Sequence, residues 1–143
     1  VVGENDGFVN KFLGDGFMAV FGAPLNDPFA AEHAVQASKE LLARLSALIE
    51  AGRIPPTQVS MGVHAGIALT GTVGTEQRKE YTVIGDAVNT AARVESLNRD
   101  YNSTLLVTDS VFEAAPKACA DAVSLGTAQI RGREQPISIY KLA

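Results

Sequence analysis

Between Asp27 and Gly52 the apolar residues Val35, Leu41, Leu42, Leu45, Leu48 and Ile49 recur at helical spacing, and on both sides of that segment the hydrophobic pattern changes to that of strands. A chain that switches period in this way has to lay helices against a sheet. Upstream, Phe8–Leu13 and Phe17–Phe21 are short apolar runs joined by Gly14-Asp15-Gly16, and Asp-Gly between such runs predicts a β-hairpin. Asp27 is placed to cap the helix, with Pro28 as its first residue, and the helix ends before Pro55-Pro56. From Val59 to Thr70 the period is two: Val59, Met61, Val63, Ala65, Ile67 and Leu69 share one face, and the opposite face carries Gly62 and Gly66. Glycines repeated on one face let another backbone or a ligand approach, so this face is a candidate floor for a site.

The remaining elements follow from the same signals. Thr75–Glu80 reads as a loop, Tyr81–Ile84 as a strand, and Gly85-Asp86 as the start of a second helix running to about Asn98. Leu105–Thr108 reads as a strand and Ser110–Ala115 as a short helix. Ala122–Ile130 and Ile137–Leu142 read as closing strands around the basic turn Arg131-Gly132-Arg133. The order β-β-α-β-β-α-β-α-β-β predicts an α+β fold with a mixed, mostly antiparallel sheet and packed helices, as one domain over 1–143.

Composition narrows the function classes. With 143 residues and 46% hydrophobic content there is material for one core and no second domain. A formal net charge of -4 leaves no broad basic footprint for nucleic acid or an anionic membrane, so a phosphate-bearing ligand has to be held by local cations. The single cysteine, Cys119, has no internal disulfide partner and no neighbouring metal-ligand set, which favours a reducing, cytoplasmic setting. No apolar run approaches the roughly 20 residues that span a bilayer.

Three local groups carry chemistry. In Asn10–Gly16, Lys11 is a cation within an apolar strand and Asp15 sits at the hairpin tip; alone they read as an edge-strand lysine and a turn aspartate. In Asp86–Arg93, Asn89 and Arg93 stand four residues apart, so an amide and a guanidinium share one helix face. Val88, Ala91 and Ala92 form the packed stripe of that helix, and Asp86 reads as its N-cap. Thr82 is a lone hydroxyl in Tyr81–Ile84, alone no more than a good strand former. His33 and His64 lack sequence partners that suggest a triad or metal set and read as structural.

Together these segments, in the wording VNKFLGDGFMAVFGAP, VHAGIALTGTVG and EYTVIGDAVNTAARVESLN, resemble the catalytic domain of class III adenylyl and guanylyl cyclases over nearly the whole chain. The order and internal spacing agree: Lys11 four before Asp15, Thr82 seven before Asn89, Asn89 four before Arg93. The resemblance implies a ferredoxin-like core and conversion of ATP to 3′,5′-cyclic AMP and pyrophosphate, assisted by two divalent cations, Mg²⁺ or Mn²⁺. It implies that Asp15 is one of two metal-binding aspartates and that Lys11 and Thr82 choose the purine. Asn89 and Arg93 then hold the ribose and the reacting phosphate. Arg131 and Arg133 stand where the family places a basic residue on the terminal phosphates; two solvated arginines on a turn fit that segment equally well.

A lysine donor with a threonine acceptor matches the N1 acceptor and N6 donor of adenine, whereas guanine reverses that polarity, so the pair argues for ATP. The family often has Asp where Thr82 stands; the threonine is similar to that of soluble, bicarbonate-responsive members. The resemblance also implies a head-to-tail homodimer in which Asp15 of one copy meets Lys11, Thr82, Asn89 and Arg93 of the other. The family's first strand and helix, with the other metal-binding aspartate, are expected upstream of Val1, and the bare segment is expected to be poorly active. The alternatives are a guanylyl cyclase and a non-catalytic cyclase-like module that binds nucleotide or dimerises. A diguanylate cyclase needs a Gly-Gly-acidic-acidic-Phe hairpin, which Leu13–Phe17 does not supply.

Overall fold

In the computed structural model of the protein, residues 1–75 and 78–143 are described, apart from the side chains of Lys11, Leu13 and 72–82. The predicted hairpin forms from β1 (Gly7–Leu13) and β2 (Gly16–Phe21), with Leu13 opposite Gly16. Gly14 at the bend has φ 55°, a conformation that costs a glycine little. A register shift between Val9 and Lys11 marks a bulge in β1.

The long helix, α1, spans Ala30–Glu50. It starts later than Asp27-Pro28 suggests, because Asp27 forms its own turn first: its Oδ1 accepts the Phe29 N–H at 2.9 Å and its carbonyl accepts the Ala30 N–H at 3.1 Å. Gly52, at φ 71°, follows the helix end as expected.

The period-two stretch is not one strand. It splits into β3 (Met61–Val63) and β4 (Leu69–Thr75), with 64–68 between them outside any strand. β4 pairs antiparallel with β5 (Arg78–Ile84), so residues 75 and 78–80 of the predicted loop are strand, while 76 and 77 lie outside the described residues. The alternation is real but serves two sheets. Met61 and Val63 pack against the core, whereas Ile67 and Leu69, expected beside them, are 94% and 70% exposed.

The main sheet has the strand order β3, β6 (Leu105–Thr108), β8 (Ile137–Lys141), β7 (Val123–Ala128). β3 and β6 are parallel and the other pairs antiparallel, so the β4–β5 hairpin and helix α2 (Asp86–Tyr101) lie within one parallel crossover. Every residue of β6 is buried, since both faces of the sheet are covered. On one face Val94 of α2 packs with Leu106, Ala128, Ile130, Ile137 and Ile139. On the other, Val35 of α1 and Val111 of α3 (Asp109–Ala114) pack with Leu105, Val107 and Cys119. Phe112 and Tyr140 stack with ring centroids 4.3 Å apart at the margin of this second cluster.

The Gly62 face meets a helix backbone instead of a ligand. A Cβ built at Gly62 would lie 2.8 Å from the Ala91 carbonyl oxygen of α2, and one at Gly66 would lie 3.1 Å from the Ala87 Cβ. This close approach also redirects α2. Its buried line runs through Thr90, Val94 and Asn98, and Ala92, assigned to the packed stripe by its apolarity, is exposed. The buried Asn98 is satisfied: its Nδ2 donates to the Met61 and Glu95 carbonyls, both at 2.9 Å, and its Oδ1 accepts the Ser103 hydroxyl at 2.8 Å.

Candidate active site

The second half of β5 runs into Gly85, whose φ of 139° is open only to glycine, and the chain turns there directly into α2. Gly85 is the N-cap, so Asp86, expected to cap, is the first helical residue. Its carboxylate sits in the first turn, where the helix dipole favours it, and pairs with Arg133 Nη1 at 3.5 Å. Arg133 Nη1 also lies 3.5 Å from the Thr90 hydroxyl. One turn along the same helix Asn89 is exposed, and Arg93, four residues on, is half-buried.

Arg93 is held from outside the helix. Its Nη1 donates to the Arg131 carbonyl in the turn between β7 and β8, and Gly132 lies against the guanidinium. The Arg93 and Arg133 guanidinium groups and the backbone of the 131–133 turn therefore meet on the N-terminal half of α2, a local cationic site on a chain of net charge -4. This concentration can hold polyanionic phosphate where the global charge cannot. The Arg131 side chain is exposed.

The other predicted residues lie apart from this group or outside the described side chains. Asp15 is exposed at the tip of the β1–β2 hairpin, between Gly14 and Gly16. Its lone carboxylate is a hard oxygen donor, which fits Mg²⁺ or Mn²⁺ and not a thiolate- or imidazole-preferring ion. Lys11 lies on β1 opposite Met18, and Thr82 on β5 opposite Gly71; both side chains are outside the described set. β1 packs against β5, and β5 against α2, so the strands bearing Lys11 and Thr82 adjoin each other, and the Thr82 strand also adjoins the helix bearing Asn89 and Arg93.

The two histidines have partners that local spacing does not reveal. His64 Nδ1 is 2.9 Å from the Thr108 hydroxyl, which in turn contacts Ser110 at 3.0 Å, so His64 ties the ends of β3 and β6 to the start of α3. Burial first, and then the charge of Arg133, lower its pKa below 6.5, against opposing pulls from Asp109 and Asp86. His33 Nδ1 lies 2.6 Å from Asp27 and 3.7 Å from Asp6. The Asp27 carboxyl is held below its ordinary 3.8 mainly by the Phe29 N–H, against an opposing desolvation, with His33 adding to the lowering. Among the described residues these three are the one group of His, Cys, Asp or Glu close enough to share an ion, and they come from positions 6, 27 and 33, too far apart in sequence to be read as a set.

Comparison with known proteins identifies the family and the fold. The family model for the adenylate and guanylate cyclase catalytic domain matches residues 3–143. Adenylate cyclase 1 of Rhizobium meliloti is 36% identical over 99% of the chain, which spans 22% of that protein, and an adenylate cyclase of Anabaena cylindrica is 34% identical over 99%, spanning 29%. The chain thus spans about a quarter of the length of these relatives. Among solved structures, a bacterial light-regulated adenylyl cyclase superposes with a TM-score of 0.77 at 27% identity, over 98% of this chain and 39% of that one. A guanylyl cyclase superposes with a TM-score of 0.75 at 26% identity, over 98% and 71%. With its mixed sheet, its covering helices and a match over almost every residue, the chain belongs to the family of adenylate and guanylate cyclase catalytic domains.

Proposed function

We propose that this domain converts ATP to 3′,5′-cyclic AMP and pyrophosphate, by attack of the ribose 3′ oxygen on the α-phosphorus. The observation that carries the reading is the convergence of Arg93 with the Arg131–Arg133 turn beside the exposed amide of Asn89. Charge builds on phosphate oxygens as pyrophosphate leaves. Arg93 supplies a rigid, permanently charged fork for it, with one of its five N–H donors already fixed on the Arg131 carbonyl. Asn89 holds the sugar so that its hydroxyl approaches in line. The Arg131 side chain takes the terminal phosphates.

Lys11 and Thr82 read adenine by donating to N1 and accepting from the N6 amine. The adenylate cyclase relatives support this choice of purine, and the guanylyl cyclase likeness supports the shared chemistry. Asp15 holds a divalent cation, which when bound neutralises phosphate charge and activates the attacking hydroxyl. The site is completed by a second copy of the chain, with Asp15 and the Asn89–Arg93 pair contributed by different protomers. Exposed apolar side chains on the two hairpins, Phe12 at 80% and Leu69 at 70% with Ile84 beside it, support such a partner, because a lone two-stranded ribbon is stable only when covered. A cytoplasmic setting follows from the nucleotide.

The test is turnover by the intact protein with Mn²⁺ and either ATP or GTP. Cyclic AMP and pyrophosphate should form in equal amounts, GTP should be the poorer substrate, and Arg93→Ala should lower kcat by about 10²–10³-fold. Nucleotide binding with no turnover would replace this reading with a non-catalytic module, and preferred use of GTP would overturn the role given to Lys11 and Thr82.

A further inference from the structure

The turn between β7 and β8 does more than join two strands. Ile130 and Ile137, one on either side of it, are buried in the core, so its base is fixed. The Arg133 N–H donates to the Ile130 carbonyl at 3.0 Å and Gln129 Nε2 to the Arg133 carbonyl at 2.9 Å, which closes it internally. Its tip lies along one face of α2, on Asp86, Thr90 and Arg93, residues spaced four and three apart. At the tip stands Gly132, with φ 88°. A Cβ built there would lie 2.8 Å from Arg93 Nη1, 3.6 Å from its Cζ and 3.7 Å from its Nη2. A side chain at 132 would therefore press on the end of the guanidinium, which would have to swing out of its present place.

We propose that Gly132 is a positioning residue for Arg93: the missing side chain lets the turn's backbone close on the guanidinium and offer it the Arg131 carbonyl. The inference rests on the catalytic reading of Arg93 and goes beyond it by naming what fixes its fork. An arginine on an exposed helix face samples many rotamers. Here a backbone acceptor, itself immobilised by two core isoleucines and by the contacts of Arg133 with Asp86 and Thr90, selects one. The remaining donors are then presented in a fixed plane before any ligand arrives, which is how preorganised groups lower a barrier.

The experiment is a double-mutant cycle in the intact protein, with kcat and KM for ATP measured for wild type, Arg93→Ala, Gly132→Ala, Gly132→Asn and the double variant Arg93→Ala/Gly132→Ala. Asparagine tolerates the left-handed backbone better than alanine yet still carries a Cβ, so it separates collision with Arg93 from backbone strain and guards against a variant that does not fold. Both single glycine variants should lose kcat by up to roughly a hundredfold with KM little changed, and the double variant should be no slower than Arg93→Ala alone. Losses that multiply in the double variant would show a structural role independent of Arg93 and overturn the proposal. So would wild-type kcat in Gly132→Asn. If Arg93→Ala itself keeps wild-type kcat, the catalytic reading of Arg93 is what fails, a result distinct from failure of the positioning role.

Discussion

His64 shows how a single side chain can be set by its surroundings more than by its sequence neighbours. It is partly buried, hydrogen-bonded to Thr108, and near Arg133, so its charged form is disfavoured in the folded protein. Its folded pKa lies below 6.5, and the unfolded chain therefore binds more protons as pH falls through that value. Stability contributed by neutral His64 is complete above pH 6.5 and is lost as pH drops from there toward the folded pKa. Denaturation midpoints measured against pH should fall more steeply on the acid side of 6.5 for wild type than for His64→Gln; parallel curves would contradict the assignment. The identities and spacing of Asn89 and Arg93 were legible in the sequence because a helix converts spacing directly into direction. The partners of His33, His64 and Arg93 were not. Each comes from another element, and nothing local encodes Asp6 against His33 or the Arg131 carbonyl against Arg93.

At the scale of elements, the hairpin, the long helix and the closing strands follow their sequence signals, while the stretch from 59 to 75 does not form the single strand its alternation suggests. Period two reports that side chains alternate, not which sheet they alternate across. The chain leaves the main sheet at His64 and enters a separate ribbon at Leu69 with its pattern unbroken. The burial of Thr90 and Asn98 in place of Ala92 was hidden for a related reason: the angle at which α2 meets the sheet is set by Gly62, not by the helix's own apolarity. Gly62→Ala should therefore push α2 off β3, at a cost of about 1–3 kcal/mol, since the atoms it meets are backbone and cannot swing aside. Chemical denaturation measures this, and a change within a few tenths of a kcal/mol would show that the contact relaxes freely.

At the scale of the whole molecule, the site as proposed is divided. Arg93 and the Arg131–Arg133 turn meet on the N-terminal half of α2, whereas Asp15 stands at the tip of the β1–β2 hairpin without a contact to any of them among the described residues. In the proposed head-to-tail pair a hairpin tip of one copy would meet the arginines of the other, and the exposed apolar side chains of both hairpins would supply the contact. A charge substitution there, Leu69→Asp, should weaken self-association and cyclase activity together in sedimentation and turnover assays; loss of neither would remove the hairpins from the interface. The central claim meets its most direct test in mixing two variants of the intact protein, Asp15→Ala and Arg93→Ala, each expected to be nearly inactive alone. Random pairing leaves one intact site in each mixed dimer, so cyclic AMP formation should return to about a quarter of the wild-type rate. If the mixture is as inactive as its components while mixed dimers demonstrably form, the carboxylate and the guanidinium do not serve one shared site, and the account is wrong.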